Sequence, residues 1–379
     1  MTMERASLRP ATLYGVPHSL YTGRARSYLI KAGIAYREQA PNSEYYLKTV
    51  LPLAGGRLGM PTLELPDGRV IRDGAAIIDH FEADEGHPFS PATPKQRFVS
   101  RLFDVIGAEG LLRPAMHYRW NFDAENLDFL ILHMRMLVPP GDIGNQMARK
   151  VADQMREATV SFGVSPQTRD LVEQVYADQL AALDRHFAAY PYLLGGRPCI
   201  GDFGLIAPLF GHLGRDPKPL SLMQAGGANV FRWVERMNRR DADLVGFERK
   251  DETVLDDDEI PETLIHLLAA MSEDLVPETL AAAHTINAWI AKQDELAPGT
   301  ACARGVGSCE FDVRGTTVRA LAQPYRFYLL KRAQDEYAAL EADDRQSVDA
   351  MLESCNMAPL LGATLTRDIG RKDNLEVWL

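Results

Sequence analysis

The sequence predicts a small α/β domain, then an all-helical domain, then a mostly helical extension, and three observations carry that reading. Up to about residue 86, short apolar runs alternate with stretches of helical period in the order βαβαββα. A Pro-rich stretch, "GHPFSPATP", ends the alternation and is followed only by long helical patterns as far as Phe247. The acidic run "DETVLDDDE" then separates a third segment, its like charges reading as a solvated linker. The expected units are residues 11–86, 95–247 and 255–379.

Taken in order, "ATLYGV" reads as a strand and "GRARSYLIKAG" as a helix closed by Gly33. "YREQAP" is a second strand, "YYLKTVLP" a helical turn, and "TLEL" and "RVI" flank the turn "PDG" as a hairpin. "DGAAIIDHFEAD" completes the first unit, with Ala76, Ile77 and Phe81 at helical spacing. The second unit contains "KQRFVSRLFDVIGAEGLL", "RDLVEQVYADQLAALDRHFAAY" and "IGDFGLIAPLFGHLG" as helices. In the extension, "PETL" at Pro261 and again at Pro277 predicts two helices that each begin with proline. A hairpin centred on Arg314 and Gly315 and two further helices precede the tail "RKDNLEVWL".

With 379 residues, 46% hydrophobic and 25% charged, the composition is that of an ordinary globular protein, expected in the cytoplasm. A formal net charge of −11 argues against a nucleic-acid surface; Arg239, Arg240, Arg249 and Lys250 cluster, but Asp241, Asp243 and Glu248 lie among them. "MTMERASLRP" leads into no apolar run and no window holds eighteen uninterrupted apolar residues, so neither export nor a membrane span is expected. The four cysteines, Cys199, Cys302, Cys309 and Cys355, form no disulfide framework. Cys302 and Cys309 have no partner His or CxxC, so inert thiols and no metal are expected.

Ser19 stands where the first strand gives way to the first helix. A hydroxyl there caps the helix by accepting from first-turn amides. The same place concentrates positive partial charge and suits a donor to an anion such as a thiolate. From the residues alone, both readings are open.

Four separated stretches, "SLYTGRARSYL", "GMPTLEL", "IRDGAAIIDHFE" and "YLLGGRPCIGDFGLIAPLF", occur in an order that resembles the cytosolic glutathione transferase family over about residues 11–245. The likeness is to a serine/tyrosine-type, bacterial branch with a C-terminal extension. It implies a thioredoxin-like glutathione-binding domain followed by the family's all-α domain, which supplies a pocket for a small apolar electrophile. The implied activity is conjugation of glutathione, or its use as an isomerisation cofactor, in a homodimer with no metal, nucleic-acid or membrane partner. The alternative is a non-enzymatic ligand-binding or scaffold protein of the same fold.

By this resemblance Ser19 is the first candidate for the hydroxyl that stabilises the glutathione thiolate and Tyr14 its rival, the latter also readable as a sheet-edge aromatic. Tyr21, Thr22 and His18 are nearby alternatives. Pro61 is expected to follow a cis bond, with the backbone of Met60 facing an open polar groove and pairing with glutathione; without the resemblance it would begin the strand in trans. Asp73 would accept from the γ-glutamyl amine and the Gly74 amide would donate to the carboxylate, although Asp73 also serves simply as a helix cap. Gly74 replaces the family's usual Ser or Thr and so removes a donor. No cysteine precedes Cys199, which excludes thiol–disulfide exchange in the first domain. Cys199 falls at a helix N-cap three residues before Asp202, where a thiol is a poor acceptor and the capping box is expected to be half made. Residues 116–122, "MHYRWNF", line the second pocket or pack between domains.

Overall fold

A computed structural model describes residues 10–84, 86–248 and 251–379. The first unit comprises β1 (Ala11–Tyr14), α1 (Leu20–Lys31), β2 (Tyr36–Gln39), α2 (a wide turn at Tyr46–Val50 continued by Leu51–Leu53), β3 (Thr62–Glu64), β4 (Val70–Arg72) and α3 (Gly74–Asp84). The sheet order is β2-β1-β3-β4, with β1 and β2 parallel and the other pairs antiparallel. Strand period sets the layers. Ala11, Leu13 and Leu63 pack against Ala25 and Leu29 of α1 and Ile77 of α3, whereas Tyr14 turns to the other face and meets Tyr46 and Val50 of α2. This is a thioredoxin-like domain with a mixed sheet of four strands, as the alternation in sequence leads one to expect. The Met60-Pro61 bond is cis.

The all-helical region that follows contains α4 (Pro94–Val105), α5 (Leu112–Trp120), α6 (Asp123–Met134), α7 (Asp142–Glu157), α8 (Arg169–Ala189), α9 (Ile200–Gly211), α10 (Pro217–Gly226) and α11 (Ala228–Met237). Helix α9 is apolar on nearly every side and forms the hub of the core, packed against α1 and α4. Its glycines permit that approach: a Cβ at Gly204 would lie 2.7 Å from the Asp104 backbone. The capping box at its start is complete, contrary to the half-made cap expected of a thiol. Asp202 compensates by accepting from the amides of Cys199 (2.9 Å) and Leu193 (3.2 Å) and from the Trp233 indole (3.0 Å).

The acidic run is no mere solvated linker. The Leu255 amide donates to Leu194 O at 2.8 Å, and Asp258 accepts from the amides of Lys95 and Gln96 at the start of α4. Beyond it, α12 (Glu262–Ile290) is one helix of 29 residues rather than two, with Pro277 in its interior. An interior proline costs about 3 kcal/mol, but a buried stripe from Leu264 through Leu268, Met271 and Leu275 to Ile286 runs past it. Burying several such side chains at roughly 1.5–3 kcal/mol each outweighs the break. β5 (Ser308–Val313) and β6 (Thr316–Leu321) form the expected hairpin, with Arg314 at φ 52° and Gly315 at φ 75° in the turn. After α13 (Pro324–Ala338) and α14 (Ala342–Ser354), the tail makes a second hairpin, β7 (Ile369–Lys372) and β8 (Leu375–Trp378), turned at Asp373 and Asn374.

All four cysteines are free and buried. Arg239 pairs with Asp243, while Arg249 and Lys250 lie outside the described residues. Among the described residues, no helix is long and apolar enough to cross a membrane.

Candidate functional site

Ser19 caps α1 with extended backbone (φ −82°, ψ 123°), its Oγ accepting from the Thr22 amide at 3.3 Å. It is half-buried, and its own proton meets no acceptor among the described residues. Tyr14 is differently placed. On the α2 face of the sheet, its hydroxyl donates to Glu64 Oε2 at 2.9 Å, and the Tyr45 hydroxyl takes Oε1 of the same carboxylate at 2.6 Å. Burial, followed by the hydrogen bond to Glu64, pushes the Tyr14 phenol well above its ordinary range. The Tyr21 hydroxyl lies 3.4 Å from both Ala108 O and Glu109 Oε1, and Thr22 is fully buried. His18 is buried, and burial together with Arg119, His133, Arg215 and Arg26 lowers its imidazole to about 3, so it is neutral at physiological pH.

The cis bond and the start of α3 meet through the Asp73 amide, which donates to Pro61 O at 3.0 Å. Asp73 sits at φ 88°, and its Oδ1 caps α3 by accepting from the amides of Ala75 (3.0 Å) and Ala76 (3.2 Å). The cap that sequence offers as one reading is therefore made. Its second oxygen is also engaged: the hydroxyl of Tyr325, from α13, donates to Asp73 Oδ2 at 2.9 Å. Gly74 is buried, and a Cβ there would come within 3.2 Å of Tyr21 O and 3.3 Å of the Arg24 side chain. Met60 and Asp73, like Ser19, are half-buried and so partly reached by solvent.

The extension fastens onto this part of the first domain. Arg304 donates to Leu58 O at 2.6 Å, and Arg57 reaches Cys302 O at 2.5 Å. Arg72 forms a two-pronged pair with Glu376 at 2.8 and 2.9 Å. Asn374 closes the free edge of β4: its side chain accepts from the Arg72 amide at 3.1 Å and donates to Val70 O at 2.9 Å, as a neighbouring strand would. Deeper still lies a buried network of charge. Arg24 pairs with Asp104, Arg332 bridges Asp79 and Asp104, and Glu278 holds both Arg113 (2.9 Å) and Arg326 (3.0 Å). Burial raises the Glu109 carboxyl at its margin to about 7 against the pull of Arg326, 4.0 Å away. Sequence reading did not single out Tyr325, Glu109 or this network. A signal was present in Asp274 and Glu278, two carboxylates one turn apart on the apolar stripe of α12, a place where charge survives only with partners.

Residues 116–122 are mostly buried, with Tyr118 stacked on Phe122 at 5.4 Å and His117 bonded to Glu173 at 2.9 Å.

A search of curated proteins finds no match. Among solved structures, the chain is similar to glutathione transferase GSTFuA3 from Phanerochaete chrysosporium, at 16% identity and a TM-score of 0.44, over 62% of this chain and 98% of that one. It is similar to the beta-etherase LigF from Sphingobium sp. strain SYK-6 at 17% identity and a TM-score of 0.44, over 62% and 97%. A glutathione S-transferase from Methylobacterium radiotolerans JCM 2831, in complex with glutathione sulfonate, aligns at 15% identity and a TM-score of 0.38, over 65% and 100%. Residues 13–89 match the family profile described as "Glutathione S-transferase, N-terminal domain", a span that runs from β1 past α3 and so coincides with the thioredoxin-like unit defined by the sheet.

Proposed function

We propose that the protein is a serine-type glutathione transferase that joins glutathione to a small electrophile with an apolar body, or uses it as a cofactor in isomerisation. The observation that carries this reading is the division of hydroxyls: the Ser19 proton at the start of α1 meets no acceptor among the described residues, while the Tyr14 proton is committed to Glu64. A thiol of ordinary pKa near 8.5 is mostly protonated at neutral pH, and each unit of lowering needs about 1.4 kcal/mol. A hydroxyl donor and the positive end of a helix are together of that size. In this reading glutathione lies along the backbone of Met60 with its amine at Asp73 and its carboxylate at the Gly74 amide. Ser19 donates to the sulfur, the thiol proton passes to solvent, and the thiolate attacks the electrophile. Titration calorimetry with glutathione, followed by thiolate absorbance of the complex against pH, tests the proposal.

One observation favours the second reading, a scaffold or ligand-binding protein without catalysis: Asp73 is already engaged by Tyr325. Undetectable glutathione binding would support it. A homodimer belongs to the first reading as well. Within one chain α13 lies against α4 and Arg332 reaches Asp79 of α3, so this face is already covered by the extension. Sedimentation at several concentrations tests for the dimer.

A further inference from the structure

We propose that His18 and Arg215, the latter held in place by His133, form an anion-binding subsite beside Ser19, and that it receives a carboxylate carried by the electrophile. The inference deepens the transferase reading and rests on it for the word electrophile; the anion site itself stands on separate geometry.

Three elements supply these residues. His18 immediately precedes Ser19, His133 ends α6, and Arg215 follows α9. The His18 and His133 rings meet edge to face at 5.4 Å. His133 Nδ1 lies 2.7 Å from Phe129 O, which makes it the protonated nitrogen, so that Nε2 accepts from Arg215 Nη2 at 3.2 Å. A continuous chain of contacts thus joins the Ser19 turn to a guanidinium.

Charge balance then distinguishes Arg215 from its neighbours. Arg26 is neutralised by Glu38 and Arg119 by Asp216. Among the described residues no carboxylate lies within ion-pair distance of Arg215, although it is only half-exposed. Its Nε and His18 Nδ1 are buried with no hydrogen-bond partner among the described residues. Buried polar nitrogens without partners are uncommon and costly, and the Nε of Arg215, which can only donate, points to a missing acceptor. The positive end of α1 adds to the field. Alongside, the Phe210 ring lies 5.5 Å from the guanidinium of Arg215 and 6.0 Å from that of Arg26, an aromatic side chain at the edge of the same cluster. An aromatic or short-chain acid fits this combination; a neutral hydrocarbon leaves Arg215 unbalanced.

The probe pair is 4-chloro-3-nitrobenzoate and its carboxylate-free counterpart 1-chloro-2-nitrobenzene, each titrated into the full chain without glutathione. The acid should bind at least about tenfold more tightly, the size of one charge-assisted hydrogen bond. In Arg215→Gln the ratio should fall towards one, with Arg215→Lys in between. Equal affinities in the wild type, or a ratio that Arg215→Gln leaves unchanged, would overturn the proposal. Should Arg215→Gln fail to fold, a salt titration of the wild type decides, since only the acid's affinity should weaken as salt rises. Glutathione is added last. An acid preference without detectable glutathione binding would leave the subsite standing and remove the transferase reading, whereas glutathione binding and product formation without any acid preference would do the reverse.

Discussion

The phenolic hydroxyl of Tyr325 donates to Asp73 Oδ2 at 2.9 Å, a bond between residues 252 positions apart that fastens the extension to the start of α3. Any ammonium group arriving at Asp73 must share or displace that hydroxyl. In Tyr325→Phe the carboxylate oxygen is released, so glutathione should bind several-fold to about tenfold more tightly, by calorimetry. The same variant should lose about 1 kcal/mol in urea denaturation, the worth of one hydrogen bond.

Removal of the Ser19 hydroxyl separates the cap from the chemistry. Ser19→Ala should cost about 1 kcal/mol of stability and raise the pKa of bound glutathione by a unit or more, read from thiolate absorbance. Tyr14→Phe, which frees only a bond to Glu64, should leave that pKa in place. A shift in Tyr14→Phe alone would move the donor role to Tyr14.

Glu109 makes stability depend on pH. Burial raises its carboxyl from the ordinary 4.5 to about 7. The folded state therefore holds a proton that the unfolded chain has released, and the associated stability is full below about pH 4.5 and lost as pH rises through about 7. Glu109→Gln should flatten that dependence and, above pH 7, exceed the wild type by an amount on the order of 3 kcal/mol. Urea midpoints of both proteins between pH 5 and pH 8 measure the difference. Parallel curves would mean that Glu109 stays ionised.

Asn374 serves two ends at once, filling a turn position at φ 64° and closing the β4 edge through its amide. Asn374→Ala loses both and should cost about 2–3 kcal/mol. Asn374→Gly keeps the turn and should cost less, so the gap between the two in denaturant isolates the strain of the turn. Identical losses would assign the whole effect to the edge bonds.

The first domain was legible because each of its elements is short and locally determined: strand period in "ATLYGV", a serine at the α1 cap, "PDG" with Gly68 at φ 86°. The turn at Arg314 and Gly315 was readable for the same reason. Local rules failed where long-range burial outweighed them. Pro277 resembles a helix start until the stripe on either side of it is buried, and the acidic run resembles a linker until Asp258 finds the start of α4. The hairpin of "RKDNLEVWL" was missed because its turn is Asp-Asn, without the glycine that marks such turns most clearly. Ser19, Met60, Pro61, Asp73 and Gly74 are nominated by resemblance, and of what was expected of them the cis bond before Pro61 and the caps made by Ser19 and Asp73 are seen. The bonds of Arg304 to Leu58, Tyr325 to Asp73 and Asn374 to Arg72 could not be anticipated, since no local pattern announces a side-chain bond across 246 to 302 residues.

The closure of β4 also bears on how the chain is made. Asn374 follows Arg72 by 302 positions, so during synthesis the first domain emerges long before the residue that completes its sheet. Throughout that interval the nascent domain presents an open row of amides and carbonyls, the feature through which half-made proteins join one another. The clasp that steadies the finished molecule is thus also a period of exposure, longest on the ribosome and brought back whenever the hairpin lets go.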